Sequence, residues 1–207
     1  MSAPLVRIAG PAAALVRPNI NTDIIAPPGR ANKPDAFGQP EDGAARVFGP
    51  WRYDAQGAEK PDFVLNRPPF RAARFLLAGP NFACGSSRES APHWLYAFGL
   101  RCILAPSFGG IFYDNCFRNG LLPVVVDEAT IARLAIVAET GFAFTLDMVA
   151  RRIDAPDGTV LPIDLPSFRY HQLLTGQDEL TITLQHTADI DRYQARSRIE
   201  QPWLWQG

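Results

Sequence analysis

The sequence predicts an α/β fold with a mixed sheet and a parallel βαβ core. Short apolar runs alternate with helical patterns between residues 74 and 140, and hairpin signals follow in the last third. Strands that are joined by helices pair in parallel through right-handed crossovers. The chain has 207 residues, 47% of them hydrophobic, which is enough for one compact core. We therefore expect a single domain over residues 1–207.

The N-terminal third is expected to contain one or two short strands followed by a long loop. The runs LVRIAG and AAALV resemble strands, and residues 19–27 (NINTDIIAP) predict a turn that leads into a short apolar element. The stretch that follows is rich in proline, glycine, alanine and charge, and it predicts a protruding loop at about 28–49. Residues 62–66 (DFVLN) fit either a short strand or a helical turn.

The middle of the chain alternates strongly between strand and helix patterns. Three apolar runs predict buried strands at 74–79, 101–106 and 121–126, and helices are expected over 91–99, 107–120 and 128–141. Ser107 is the predicted N-cap of the second of these helices and Asp127 that of the third. This alternation supplies the parallel part of the predicted sheet.

The last third predicts an antiparallel extension of the sheet and further helices. The runs FAFTLDM and RRIDA suggest one hairpin, and the dipeptide Asp157-Gly158 is a strong turn signal for a second. Residues 166–176 predict a helix that ends at a glycine. The run LTITLQH (180–186) is expected to form a final strand, and DIDRYQARSRI a terminal helix.

Composition and charge exclude several classes of function. The net charge is −1 and no basic run stands out, so we expect no nucleic-acid partner. No apolar run approaches the roughly 20 residues that span a bilayer, and the N-terminus does not resemble a signal peptide, so we expect a cytoplasmic protein without a membrane partner. Three scattered cysteines without a C-x-x-C pair predict neither a disulfide framework nor metal ligands in this chain.

The densest polar chemistry lies in residues 79–95 (GPNFACGSSRESAPHWL), between a predicted strand and a predicted helix. A glycine-containing turn at a helix start leaves backbone N–H groups free for an anion. Ser86, Ser87 and Arg88 add two hydroxyls and a guanidinium, which suit a carboxylate or phosphate. Because ligands of α/β folds bind beyond the carboxyl ends of parallel strands, we expect a ligand site here.

The same residues also fit a purely structural interpretation. Serine is a common N-cap, and Arg88 could form an ion pair with Glu89 or Asp114. The motifs of phosphate loops, dinucleotide-binding folds and α/β-hydrolase nucleophile elbows are absent from the sequence. His93 is the histidine nearest to the turn in the sequence. Its position fits either a residue that contacts a substrate or a surface residue.

At this point the sequence resembles the small subunits of 3-isopropylmalate dehydratase, a family of the aconitase superfamily. The resemblance covers nearly the whole chain and rests on ordered matches: NINTDIIAP (19–27), PDFVLN (61–66), GPN with CGSSRE (79–89), APSFGGIFYDNCFRNGLLP (105–123), residues 168–176 and TLQH (183–186). It implies the swivelling β/β/α fold of the last domain of aconitase. It also implies that the chain is one subunit of a hydro-lyase that interconverts 2-isopropylmalate and 3-isopropylmalate in leucine biosynthesis.

The resemblance further implies that two chains share the chemistry. A large subunit would carry a [4Fe–4S] cluster whose open iron acts as a Lewis acid, so this chain would hold no cofactor and be inactive alone. Ser86 would act as the base that removes the proton next to a carboxylate. Arg88, with N–H groups near Ser87, would bind the substrate carboxylate and stabilise the charge that develops on it.

Two departures from the family pattern concern the substrate. Ser90 stands where the family usually has histidine, and His93 lies three residues later on the same helix face, where it could partly replace that group. The loop after residue 27 also differs, and Arg30 and Lys33 are its candidates to meet a substrate carboxylate. The alternatives are therefore a paralogue acting on citramalate and citraconate or on homoaconitate-type diacids, or a non-catalytic assembly or regulatory copy.

Overall fold

The computed structural model describes residues 2–27, 43–85 and 89–205. Seven strands in these ranges form one sheet in the order β4-β3-β2-β1-β5-β6-β7. The strands are β1 (Arg7–Leu15), β2 (Phe75–Ala78), β3 (Cys102–Ala105), β4 (Leu122–Val125), β5 (Ala143–Asp147), β6 (Arg152–Asp154) and β7 (Val160–Pro162). The mixed α/β fold predicted from the sequence is thus confirmed.

Helices cover the sheet and connect its strands. Within the described ranges they are α1 (Thr22–Ile25), α2 (Gly43–Arg46), α3 (Gly49–Arg52), α4 (Ser90–Phe98), α5 (Gly110–Arg118), α6 (Glu128–Ala138), α7 (Ser167–Thr175), α8 (Glu179–Leu184) and α9 (Thr187–Glu200). Short 3₁₀ turns occur at Val64–Asn66, Phe70–Ala72 and Pro202–Trp205. In this part of the chain, no helix is both long and apolar enough to cross a bilayer.

Strand β1 joins the parallel and antiparallel halves of the sheet. Its first five residues pair antiparallel with β5, from Arg7 opposite Asp147 to Pro11 opposite Ala143. Its last four residues pair in parallel with β2, and β3 and β4 continue the parallel half. Because β2 and β3 are covered on both faces, all of their residues are buried and apolar.

The two faces of the sheet carry separate hydrophobic cores. Alternate residues of β2 point to opposite faces, as the pleat requires: Leu76 and Ala78 join one core, and Phe75 and Leu77 join the other. The first core includes residues of α1 and α4, with Trp51 of α3 packed against it, and the second includes residues of α6 and α7. The first core therefore supports the segments that lead to the candidate site.

Two predictions for individual elements need correction. The expected strand at 180–186 is wrong because Glu179–Leu184 is a helix, started by Asp178, whose carboxylate accepts a hydrogen bond from the Thr181 N–H at 2.7 Å. Ser107 does not cap α5, which begins after Gly109. Of the two alternatives left open for residues 62–66, the structure shows the helical turn, a 3₁₀ turn at Val64–Asn66.

The predicted protruding loop at 28–49 is only partly covered by the structure. Residues 28–42 lie outside the described residues. The C-terminal end of the segment does not protrude: α2 occupies Gly43–Arg46, and Val47 and Phe48 are fully buried in the first core. The ring of Phe48 stacks on Trp51 and packs against Phe63, so burial of aromatic side chains holds this end against the body.

Candidate active site

The candidate site is built on three loops that meet where β1, β2 and β3 end. We call residues 19–22, 81–85 and 107–109 the three-loop platform. The middle loop is hydrogen-bonded to the first, with the Ala83 N–H donating to Ile20 O at 2.6 Å and the Thr22 N–H to Cys84 O at 2.9 Å. It is also hydrogen-bonded to the third, because Phe82 donates its N–H to Ser107 O at 3.0 Å. The carboxyl edge of the parallel sheet is therefore one connected backbone surface.

Side chains add further links between these loops. The Ser107 hydroxyl, which the sequence assigned to a helix cap, instead accepts a hydrogen bond from the Asn81 N–H at 2.8 Å. The Asn81 amide donates to Asn19 Oδ1 at 2.8 Å. Asn81 and Asn19 both have left-handed backbones, with φ of 56° and 57°, a region that asparagine tolerates better than most residues. These contacts fix the path of the chain as it approaches residue 86.

The floor of the platform is aromatic. The ring of Phe82 is fully buried and lies 5.6 Å from the Phe112 ring and 6.3 Å from the Phe108 ring, edge-on to both. Phe108 and Phe112 stack on each other at 6.3 Å. Edge-to-face pairs of this kind add to the stabilisation that comes from buried area. The polar residues of the turn therefore follow directly after a rigid apolar base.

At the start of two helices at this edge, the residue in the N-cap position makes no capping hydrogen bond through its side chain. The Glu89 side chain makes no capping hydrogen bond at the start of α4, and Gly109 offers none to α5. By contrast, Asp127 caps α6 by accepting from the Thr130 N–H at 2.9 Å. Helix starts of this kind, at the positive end of the helix dipole, favour an anion.

Most of the site residues predicted from the sequence lie outside the described residues: Ser86, Ser87, Arg88, Arg30 and Lys33. The structure places their neighbours, since Gly85, with φ of 99°, ends the platform and Glu89 opens α4. His93 is described and lies exposed on α4, three residues after the half-buried Ser90. Its position on the accessible face of this helix is compatible with the predicted contact to a substrate.

In the purely structural interpretation Arg88 pairs with Glu89 or Asp114, and one of these two carboxylates already has another partner. Asp114, a candidate partner of Arg88, forms an ion pair with Arg169 at 2.9 Å between the guanidinium Nη2 and the carboxylate Oδ1. Because the Asp114 side chain is 59% exposed, this pair is worth little in stability. It still gives Asp114 a cationic partner on α7.

The sequence analysis did not single out a buried arginine in α3, Arg52. Arg52 is 4% exposed, and its Nε donates to Asn66 Oδ1 at 3.0 Å. Its Nη1 donates to the carbonyls of Ala44 at 3.1 Å and Ala45 at 3.4 Å, and its Nη2 lies 3.6 Å from a carboxylate oxygen of Glu59. Burial lowers the pKa of Arg52, and the nearby acidic groups partly offset that shift.

Comparisons with known proteins place this architecture in a family. A relative from Rhodospirillum centenum, named 3-isopropylmalate dehydratase small subunit, is 44% identical over 198 residues, which cover 95% of this chain and 96% of the relative. A relative of the same name from Parvibaculum lavamentivorans is 43% identical, and the match covers 96% of this chain and 98% of the relative. The chain belongs to the family of 3-isopropylmalate dehydratase small subunits.

Two further comparisons support the fold of this small-subunit family. The model of the aconitase C-terminal domain matches residues 44–129, a range that runs from α2 through the middle and last loops of the platform to the start of α6. A crystal structure titled 3-isopropylmalate dehydratase, from Methanocaldococcus jannaschii, has a TM-score of 0.61 and 21% identity, and covers 90% of this chain and 99% of that chain. The predicted fold, like that of the last domain of aconitase, is confirmed.

The three thiols of this small-subunit chain differ in environment. Cys84 is half-buried in the platform, where its carbonyl accepts the bond from Thr22. Cys102 in β3 and Cys116 in α5 are fully buried, and burial raises the pKa of both. Two of the three thiols are therefore core residues that resist ionisation, and none of the described residues form a group of three side chains arranged to hold a metal ion.

Proposed function

We propose that this chain is the small subunit of a heteromeric hydro-lyase that interconverts 2-isopropylmalate and 3-isopropylmalate by dehydration and rehydration, in leucine biosynthesis. The observation that carries the proposal is the 44% identity over 95% of the chain to a relative of that name. The platform supports it, because the N-cap residues of the two helices that start there, Glu89 and Gly109, make no capping bond through a side chain, and such helix starts suit a carboxylate. A cytoplasmic location and the absence of nucleic-acid and membrane partners remain predictions of this proposal.

The relatives are named as small subunits, and we propose that a large subunit completes the active site. The donor set of this chain does not fit a [4Fe–4S] cluster, because it has three cysteines and two of them are buried core thiols. We therefore assign the cluster to the large subunit, where it would supply a Lewis acid for the substrate hydroxyl. The isolated chain is then expected to be colourless and inactive.

Within this chain, Ser86 is proposed as the base. It lies after Gly85 and before α4 in the sequence, and we propose that positive charge at the start of this helix lowers the cost of ionising its hydroxyl, a weak acid. Its oxygen would take the proton from the carbon next to a substrate carboxylate. Loss of that proton and of the hydroxyl on the neighbouring carbon gives an alkene diacid, and addition of water in the opposite sense gives the isomer.

Arg88 is proposed to bind the substrate carboxylate whose neighbouring carbon loses the proton. A guanidinium can donate two parallel hydrogen bonds to a carboxylate, which fixes its orientation as well as its position. The backbone N–H groups near Ser87 add donors where negative charge develops in the transition state. Arg30, Lys33 and His93 are proposed to contact the remainder of the substrate and so to determine which diacid is accepted.

The test is reconstitution of the complex with the large subunit from the same organism, followed by assays with isopropylmalate, citramalate and homocitrate. We expect turnover of isopropylmalate, and loss of roughly three orders of magnitude in kcat for Ser86→Ala, as for removal of other proton-transfer groups. Ser90→Ala is the matched control, a serine four residues later that we expect to leave the rate unchanged.

Each other outcome has a defined meaning. Turnover of citramalate or homocitrate in place of isopropylmalate would assign the chain to a paralogous activity. A complex that assembles but turns over none of the three diacids would favour the non-catalytic assembly copy. A Ser86→Ala complex with the wild-type rate would overturn the assignment of the base.

A further inference from the structure

A cleft of about 460 Å³ lies at the end of β1. It is lined by residues 14–17, by Trp51 of α3, by residues of the segment 60–67 and by Glu139, which follows α6. Arg17 stands two residues before the three-loop platform, so the cleft adjoins the platform along the chain but shares no residue with it. None of the residues assigned to the proposed reaction lines this cleft.

One part of the lining is apolar and firmly packed. Leu15 and Val64 are buried in the first core, and the rings of Trp51 and Phe63 pack against that core while they remain partly accessible. The buried ring of Phe48 lies 6.3 Å from the Trp51 ring and 6.0 Å from the Phe63 ring. Because both rings are held by this neighbour, the cleft offers two aromatic side chains on which the apolar body of a ligand can pack.

The other part of the lining carries three cations with unused donors. The Arg17 guanidinium lies 5.1 Å from the centre of the Trp51 ring and forms no ion pair with the described residues. The Lys60 ammonium has one long hydrogen bond, of 3.4 Å, to a backbone carbonyl. In the part of the chain that the structure describes, Arg67 Nε has no hydrogen-bond partner, and Arg67 Nη2 lies 3.5 Å from a Glu139 carboxylate oxygen. These groups can therefore still donate to an anion.

Two carboxylates, Asp62 and Glu139, also line the cleft. Each is more exposed than the cation nearest to it in the structure or the sequence. The Glu139 side chain is 60% exposed and that of Arg67 42%, while Asp62 is exposed and Lys60 is half-buried. Water and salt screen the more exposed charges more strongly. With three cations against two carboxylates, the cleft favours an anion.

We propose that this cleft is a binding site for a small organic acid with an apolar body. The carboxylate of the ligand binds Arg67 and Lys60, and the apolar body packs on Trp51 and Phe63. Arg17, whose guanidinium lies over the Trp51 ring, adds a third positive charge at the exposed side of the cleft. An anion without an apolar body, or a neutral molecule that has one, matches only half of this lining and binds more weakly.

The experiment is an NMR titration of the isolated full-length chain with three probes: benzoate, benzamide and inorganic phosphate. Benzamide keeps the ring of benzoate without its charge, and phosphate keeps negative charge without the ring. The reporter is the indole N–H signal of Trp51, which is identified by its absence from the spectrum of Trp51→Phe. We expect saturable binding of benzoate in the millimolar range, and roughly tenfold weaker binding of each of the other two probes.

Variants show where benzoate binds. Arg67→Gln and Lys60→Gln each remove one positive charge from the cleft, and each should raise the Kd for benzoate at least about threefold. Arg71→Gln is the matched control, because Arg71 is 51% exposed in its side chain, pairs with Glu59 and does not line the cleft. Arg88→Gln removes the proposed carboxylate clamp of the active site and should also leave the Kd for benzoate unchanged.

Three results of the titration would overturn the inference. The first is the absence of a saturable shift with benzoate at tens of millimolar. The second is equal affinity for benzoate and either of the other probes, because the lining would then not read both parts of the ligand. The third is an equal loss of affinity in Arg67→Gln and Arg71→Gln, which would indicate a non-specific effect of charge.

The variants also separate this inference from the proposed function. If the Kd for benzoate rises in Arg88→Gln but not in Arg67→Gln or Lys60→Gln, benzoate binds at the proposed active site and the cleft is refuted. The amide spectrum of each variant shows whether it is folded, and should Arg67→Gln fail to fold, Lys60→Gln decides by the same criterion. The titration needs no turnover, so an inactive complex would overturn the proposed function and leave the binding result intact.

Discussion

Gly79 offers the sharpest test of how the platform is packed. It follows β2 directly and is buried, and its backbone lies against the end of β1. A Cβ at this position would lie 2.4 Å from Arg17 O, 2.5 Å from Arg17 C and 2.9 Å from Pro18 N. All three atoms belong to the backbone, so no side-chain rotation can relieve the contact. Gly79→Ala must therefore separate the ends of β1 and β2.

The required displacement sets the size of the effect. Ordinary van der Waals contact begins at 3.4 Å, so the two backbones would have to part by about 1 Å. Overpacking of this kind costs about 1–3 kcal/mol, and we expect the upper part of that range because only backbone can move. In a chain of this length such a loss lowers Tm by roughly 4–12 °C. The Asn19–Pro80 backbone bond of 2.9 Å lies next to the clash and would be strained with it.

The assay is urea and thermal unfolding of the purified chain, with Gly110→Ala as the matched control. Gly110 is the first residue of α5 and is exposed, and nothing lies within 4 Å of an added Cβ. Alanine there should leave stability unchanged or raise it by about 0.5 kcal/mol, because glycine is a poor helix former. If Gly79→Ala unfolds at the same urea concentration as Gly110→Ala, the close approach of β1 and β2 at this point is wrong.

Two further predictions concern titration and thiol reactivity. The N–H of Thr130 holds the pKa of the Asp127 carboxyl below its usual value, so its stabilising effect is present above the unfolded pKa and is lost as pH falls through the folded one. Asparagine at position 127 keeps a capping oxygen but does not titrate, so Asp127→Asn should flatten the fall of Tm as the pH drops below the usual pKa of an aspartate. An unchanged slope would contradict the assignment. In native protein a maleimide should modify Cys84 first, and Cys102 and Cys116 only after unfolding, because burial excludes the reagent and raises the pKa of both thiols. Mass spectrometry of the peptides checks this order, and early modification of Cys102 would refute it.

The parallel half of the fold could be predicted because its signals are local. Each of β2, β3 and β4 is a short apolar run, and a glycine near the end of each following helix marks where that helix stops. The one wrong element, α8, shows the limit of this reasoning. Its alternating sequence LTITL fits a strand, but the capping bond from Thr181 to Asp178 stabilises a helix start. In this segment the capping hydrogen bond, which favours a helix, outweighed the alternation of apolar and polar residues, which favours a strand.

The candidate site was only partly predictable, for a different reason. The polar turn is contiguous in sequence and could be recognised directly. Its supports are not contiguous: Asn81 is bound to Asn19, 62 residues away, and to Ser107, 26 residues away. The buried Arg52 likewise contacts groups in four separate segments. No local pattern identifies such partners, because the topology of the sheet brings them together.

The platform shows how the backbone can prepare a site before any substrate binds. Asn19, Asn81 and Ala83 all adopt left-handed φ values near 56°, each of which costs roughly 1–2 kcal/mol for a residue with a Cβ. Ala83 has no polar side chain to offset that cost, so its conformation is held by the backbone bond to Ile20 O and by the buried neighbours around it. Strain that persists in this way requires a surrounding structure that fixes it. The chain is thus oriented by its own backbone up to Gly85, and the proposed base, Ser86, is the next residue along it.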